Sequence, residues 1–129
     1  NLDSYTAMLE DVPHYLPALM RSEKIQKKAA DAGFDWPDME GALSKLEEEV
    51  GELRRAAETG TNVFEELGDV LFAVKVGRFA GLDPEEAVVS TCEKFIRRFS
   101  AVEQGAADSG RTLHEMTLEE MTQLWNGAK

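Results

Sequence analysis

Between Lys45 and Asp69 the chain carries Glu47, Glu48, Glu49, Glu52, Glu58, Glu65, Glu66 and Asp69. Carboxylates at this density have two readings. Turned outward they are the solvated coat of a helix; turned inward they are a cage for a cation. Facing direction separates the two. Glu49 and Glu52 are three residues apart and share a helical face. Their row, Ala42, Lys45, Glu49, Glu52 and Ala56, borders an apolar stripe. Glu66 and Asp69 are also three apart, and their row continues through Ala73 and Val76, which points the pair towards packing. Gly68 stands between them in mid-helix, where Gly costs ~1 kcal/mol relative to Ala. Its presence predicts a close approach by a neighbouring group.

The short Gly60 to Asn62 connection sets the two helices side by side, and the four carboxylates then converge. At ~4 Å, like charges repel by about 4 kcal/mol at an effective dielectric of about 20. Such a cluster stays ionised only if a cation neutralises it; otherwise some members bind protons. All-oxygen ligation selects a hard cation, Mg²⁺ or Mn²⁺. Other metal patterns are missing. There is no Glu-x-x-His of a di-iron bundle, and His114-Glu115 is not followed by the second histidine of a zinc protease. There is also no calcium loop, Walker loop or glycine-rich dinucleotide turn.

A carboxylate-held Mg²⁺ keeps positions open for phosphate oxygens. A phosphate site also needs cations. Lys94, Arg97 and Arg98 stand together on one helix, and Lys24, Lys27 and Lys28 on another. Alone, each set reads as a solvated face. Beside an acidic cage, in a chain with only 14 Lys and Arg, they favour phosphate binding.

The elements that must position these residues read as helices. One runs from Pro17 to about Ala32 and stops at Gly33. A second, capped by Asp38, runs to Thr59 with Gly60 past its end. Its apolar stripe is Leu43, Leu46, Val50, Leu53 and Ala57. A third spans Val63 to Ala80. A fourth starts at Asp83-Pro84, with Glu86 in capping-box position and a stripe of Val88, Cys92, Phe95, Phe99 and Val102. Residues 105–110 read as a polar loop. Thr117 and Glu120 form a capping box that opens a short last helix through Trp125. Strand alternation and hairpin turns are missing. The expected fold is all-α: a bundle of four main helices plus a short C-terminal helix, completed by dimerisation through its apolar stripes.

The 129 residues make one domain, and 43% of them are apolar, enough to close a core. The formal charge is 14 − 25 = −11. It argues against a binder of nucleic-acid chains and against adhesion to an anionic membrane. No apolar run approaches the ~20 residues that span a bilayer, and there is no basic, apolar leader. Cys92 is the sole cysteine, so a reducing cytoplasm is the simplest location. A start at Asn1 suggests a piece cut from a longer chain.

The acid pattern Glu48-Glu49-x-x-Glu52 with Glu66-x-x-Asp69 resembles the EExxE…ExxD signature of the all-α nucleoside triphosphate pyrophosphohydrolases. More narrowly, the chain is similar to the MazG type, and most to the C-terminal one of its two domains. The blocks that carry this are Leu16 to Arg21, Lys24 to Ala30, Gly33-Phe34-Asp35-Trp36, Glu66 to Asp69, Lys94 to Phe99 and Leu124-Trp125 with Ala128-Lys129. They run in order from about Val12 to Lys129. The resemblance implies a homodimeric enzyme that cleaves a nucleoside triphosphate between its α and β phosphates, with Mg²⁺. Its metal ligands would be Glu49, Glu52, Glu66 and Asp69. Lys45, Glu48, Asn62, Glu65, Lys94, Arg97, Arg98, Trp125 and Lys129 would line the nucleotide site. Glu48 would orient or deprotonate the attacking water, and the basic residues would stabilise charge on the pyrophosphate leaving group. Trp125 has two readings, a platform for a base or a core tryptophan closing the last helix.

One stretch departs from the family. An Asn is usual about seven residues after the aspartate of ExxD. Here Lys75 takes that region, and Asp69 to Gly81 is one residue short. One residue is ~100° of helix, so the shortening demands either a local irregularity or a rearranged site. The competing function is a helical interaction or regulatory domain that keeps the fold without the catalysis, its acids meeting a basic partner.

Overall fold

The computed structural model describes residues 4–74 and 76–129. Its helices are α1 (Tyr5–Glu10), α2 (Ala18–Asp31), α3 (Met39–Thr59), α4 (Val63–Phe72), α5 (Val76–Phe79), α6 (Pro84–Asp108) and α7 (Leu118–Gly127), with a 3₁₀ turn at Leu113–Glu115. No strand occurs among the described residues, so the fold is all-α as the sequence predicts. No helix among them is long and apolar enough to cross a membrane. The chain divides into two compact units, one up to Ala87 and one from Val88 to Lys129.

In the first unit the helix ends follow their local chemistry. The carboxylate of Asp38 accepts the Gly41 N–H at 2.9 Å and starts α3. Gly60, left-handed at φ 71°, ends it, and Asn62 is left-handed as well at φ 59°. Two such residues in three reverse the chain and lay α4 against α3. The face that packs is not the expected leucine stripe. Leu43 and Val50 are exposed, while Ala42, Glu49 and Ala56 are buried. Small alanines let the neighbouring helix come close, and Glu49 is carried in with them.

The expected third helix, to Ala80, is interrupted. α4 ends at Phe72 and α5 begins at Val76; Lys75 lies outside the described residues. The break falls within the stretch from Asp69 to Gly81. It frees the Phe72 carbonyl, and Gln26 on α2 supplies the donor. The buried Gln26 amide donates to Phe72 O at 2.7 Å and to Ser22 Oγ at 2.8 Å.

In the second unit α6 runs straight through Gly105 to Asp108, where the sequence reading placed a loop. The glycine serves close packing and not a turn. A Cβ at Gly105 would lie 2.7 and 2.9 Å from the Leu124 methyls. Gly68 is the reverse case: nothing lies within 4 Å of where its Cβ would be, so the expected close neighbour is not there. α7 opens on the predicted box, Glu120 N–H to Thr117 Oγ1 at 3.1 Å and Thr117 N–H to Glu120 Oε1 at 3.0 Å. Glu120 also meets Arg111 at 2.6 Å.

Apolar burial within the described chain is thin. Val12, Ala42, Ala56, Ala73, Val102 and Ala106 form its core, and none of these is large. Of the α6 stripe only Val102 is buried; Val88, Phe95 and Phe99 are exposed. On α4, Phe64 is 93% exposed, with Leu67 and Leu71 also open.

Candidate metal centre

Three of the four expected ligands come together. Glu49 and Glu52 project from successive turns of α3, Glu66 from the first turn of α4, and one carboxylate oxygen of each lies within 4.8 Å of the others. Asp69 is not among the three. It is exposed, one turn beyond Glu66, yet close enough for its charge to act on that residue.

The electrostatics are those of crowded carboxylates. Glu66 is pushed above the usual carboxylate range, first by burial and then by the negative charges of Glu52, Asp69 and Glu49. Lys45 offsets part of the repulsion. Its ammonium lies 3.0 Å from Glu49 Oε1 and 3.6 Å from Glu48. The hydrogen bond to Glu49 raises the lysine above its ordinary value, against the opposing pull of burial. Glu49 is 8% exposed, and its Oε2 is buried with no hydrogen-bond partner; Glu66 Oε2 is in the same condition. A buried, unpartnered carboxylate oxygen costs free energy unless something positive meets it. Two of them beside Glu52 make an all-oxygen donor set suited to a hard divalent cation.

A cavity of about 290 Å³ adjoins the cluster, lined by Glu52, Arg55, Thr59, Thr61, Asn62 and Glu66. Asn62 thus lines the cavity beside the carboxylates. Glu48 and Glu65 are exposed on α3 and α4 and are not among its lining residues. Arg55, Thr59 and Thr61 were missed in the sequence reading. The signal was present, since Arg55 and Thr59 continue the Glu52 face at spacings of three and seven.

The remaining expected residues belong to the second unit. Lys94, Arg97, Arg98 and Lys129 line one cavity of about 450 Å³ with Ala101 and Ala128. α6 and the chain end thus bring Lys94, Arg97 and Arg98 together with Lys129, while Lys24 and Lys27 on α2 line a different cavity. Trp125 is half-buried. Its ring centroid is 5.0 Å from that of Phe95, and the Arg98 guanidinium stands 5.6 Å over it. The ring packs on Phe95 with a cation over it.

Residues 38–102 match the family profile of the MazG nucleotide pyrophosphohydrolase domain. The chain is 36% identical over 125 residues to the nucleoside triphosphate pyrophosphohydrolase/pyrophosphatase MazG of Thermotoga maritima, covering 96% of this chain and 49% of that protein. It is 40% identical over 126 residues to a nucleoside triphosphate pyrophosphohydrolase of Escherichia coli K12, covering 94% and 48%. The chain spans about half the length of these curated relatives.

Proposed function

Since the chain belongs to the MazG nucleotide pyrophosphohydrolase family, we propose that it hydrolyses nucleoside triphosphates between the α and β phosphates, giving a monophosphate and pyrophosphate. The observation that carries this reading is the convergence of Glu49, Glu52 and Glu66 with two buried, unpartnered oxygens. These residues, with Asp69 one turn on, would hold Mg²⁺, with Mn²⁺ as a substitute. The ion supplies charge neutralisation on the phosphate oxygens and makes water more acidic.

The chain's own residues supply the rest. Lys45 pairs with Glu49 and fixes it in place. Glu48, on the solvent side of the same lysine, orients the attacking water and accepts its proton. Asn62 and Glu65 flank the start of α4 beside the nucleotide. Lys94, Arg97, Arg98 and Lys129 neutralise the charge that develops on pyrophosphate. Trp125, with the Arg98 guanidinium over its ring, is the platform on which the base stacks.

The working unit is a homodimer. Phe64, Leu67, Phe95 and Phe99 are exposed in the single chain, and a second copy is the covering surface this reading assigns. The exposed Cys92 suits a reducing compartment, the cytoplasm. Incubation with mixed triphosphates and Mg²⁺ should yield pyrophosphate. Orthophosphate alone, or no product from any base, rules the reaction out. Light scattering should give twice the chain mass; a monomer at micromolar concentration counts against the dimer.

A further inference from the structure

We propose that Arg55, with Thr61 and the first turn of α4, forms a phosphate subsite beside the carboxylate cluster, for one phosphoryl group of a polyphosphate that arrives with its divalent cation. The inference rests on the function proposed above and assigns residues that the family resemblance did not.

Three observations carry it. The cavity of about 290 Å³ is walled by Glu52 and Glu66, two of the three clustered carboxylates, so its occupant lies next to any bound ion. Arg55 lines that cavity and makes no ion pair with a described residue, although Glu52 is only three residues away. The Arg55 guanidinium lies back along α3, with Nη1 3.7 Å from where a Cβ at Gly51 would be, an ordinary contact distance. A planar guanidinium with a free fork of donors matches a phosphate better than any other side chain.

The opposite wall supplies further donors. Asn62 precedes α4 without a side-chain cap. The first-turn N–H groups have no partner within the helix, and the turn meets the cavity through Asn62 and Glu66. The Thr59 hydroxyl donates to the Arg55 or Ala56 carbonyl at 3.2 and 3.3 Å. Thr61 is then the donor in its 2.9 Å contact with Thr59. A single rotation about its C–O bond turns that hydrogen to a phosphate oxygen. Glu52 and Glu66 repel a bare phosphate, so the subsite fills only when a cation lies between them and the anion.

The test measures binding and needs no turnover. Wild type, Arg55→Met, Arg55→Lys and Thr61→Val are titrated with Mg²⁺ alone, and with inorganic pyrophosphate in the presence and absence of Mg²⁺. The expected result is unchanged Mg²⁺ affinity in all four. Pyrophosphate affinity should fall about tenfold or more in Arg55→Met, the scale of losing hydrogen bonds to a charged group. Arg55→Lys should recover part of it, and wild type should bind pyrophosphate only with Mg²⁺. Equal pyrophosphate affinity in wild type and Arg55→Met overturns the subsite, as does wild type that ignores pyrophosphate. An active wild type with an indifferent Arg55 defeats this inference alone. A wild type inert towards nucleotides, with the expected pyrophosphate affinities, defeats the proposed reaction and leaves the subsite.

Discussion

Lys45 holds one oxygen of Glu49 at 3.0 Å, while the second oxygen of the same buried carboxylate has no hydrogen-bond partner. The lysine occupies one oxygen and leaves the other for a cation. Glu49→Gln keeps the shape and removes the charge. Helical content by circular dichroism should be retained. The rise in melting temperature on adding Mg²⁺, a mass-action effect in wild type, should disappear. Pyrophosphate production should fall by more than the roughly 10–100-fold typical of losing an outer-shell partner.

The tie from Gln26 to the Phe72 carbonyl should be a structural one. Gln26→Leu leaves that carbonyl and Ser22 Oγ without the amide donor. Denaturant unfolding should show a loss of about 1–3 kcal/mol, the cost of stranding a buried polar group. A variant as stable as wild type would mean that the bond is not needed to end α4.

Two mid-helix glycines should respond oppositely to the same change. Gly68→Ala places its methyl in open space and should stabilise by up to ~1 kcal/mol through helix propensity. Gly105→Ala meets the Leu124 methyls and should not. Melting temperatures of the two variants measured side by side decide it.

Acid stability should carry the mark of Glu120. Its carboxyl is lowered from 4.5 to about 2, first by Arg111 and then by the Thr117 N–H. A depressed carboxyl stabilises the fold above the unfolded value and loses that contribution as pH falls from 4.5 towards about 2. Glu120→Gln should lower the melting temperature at neutral pH and flatten its fall through that window. Added salt should shrink the difference, because the pair is partly exposed.

The sequence carried the parts of this architecture that depend on local chemistry. Asp38, Gly60 and the Thr117–Glu120 box act only on neighbours in the chain, and each bounds a helix as expected. The convergence of Glu49, Glu52 and Glu66 was legible because a three-residue connection leaves α4 few places to go. What escaped was set at long range. Gly105 and Gly68 are the same residue type in similar surroundings, and only the position of Leu124 tells them apart. The leucine stripe of α3 implied a buried face, but periodicity does not say which partner covers it. Arg55 looked like one more solvated charge until the cavity beside it was defined.

The interruption after Phe72 bears on how this chain tolerates change in length. In an unbroken helix, loss of one residue would turn every later side chain by ~100°. Glu66 and Asp69 both precede the break, and Glu49 and Glu52 precede it further. A deletion downstream therefore resets the phase of α5 and leaves the carboxylates where they were. The break acts as a slip joint: a change in the number of residues between Phe72 and Gly81 is taken up after α4 and leaves the acidic site in register.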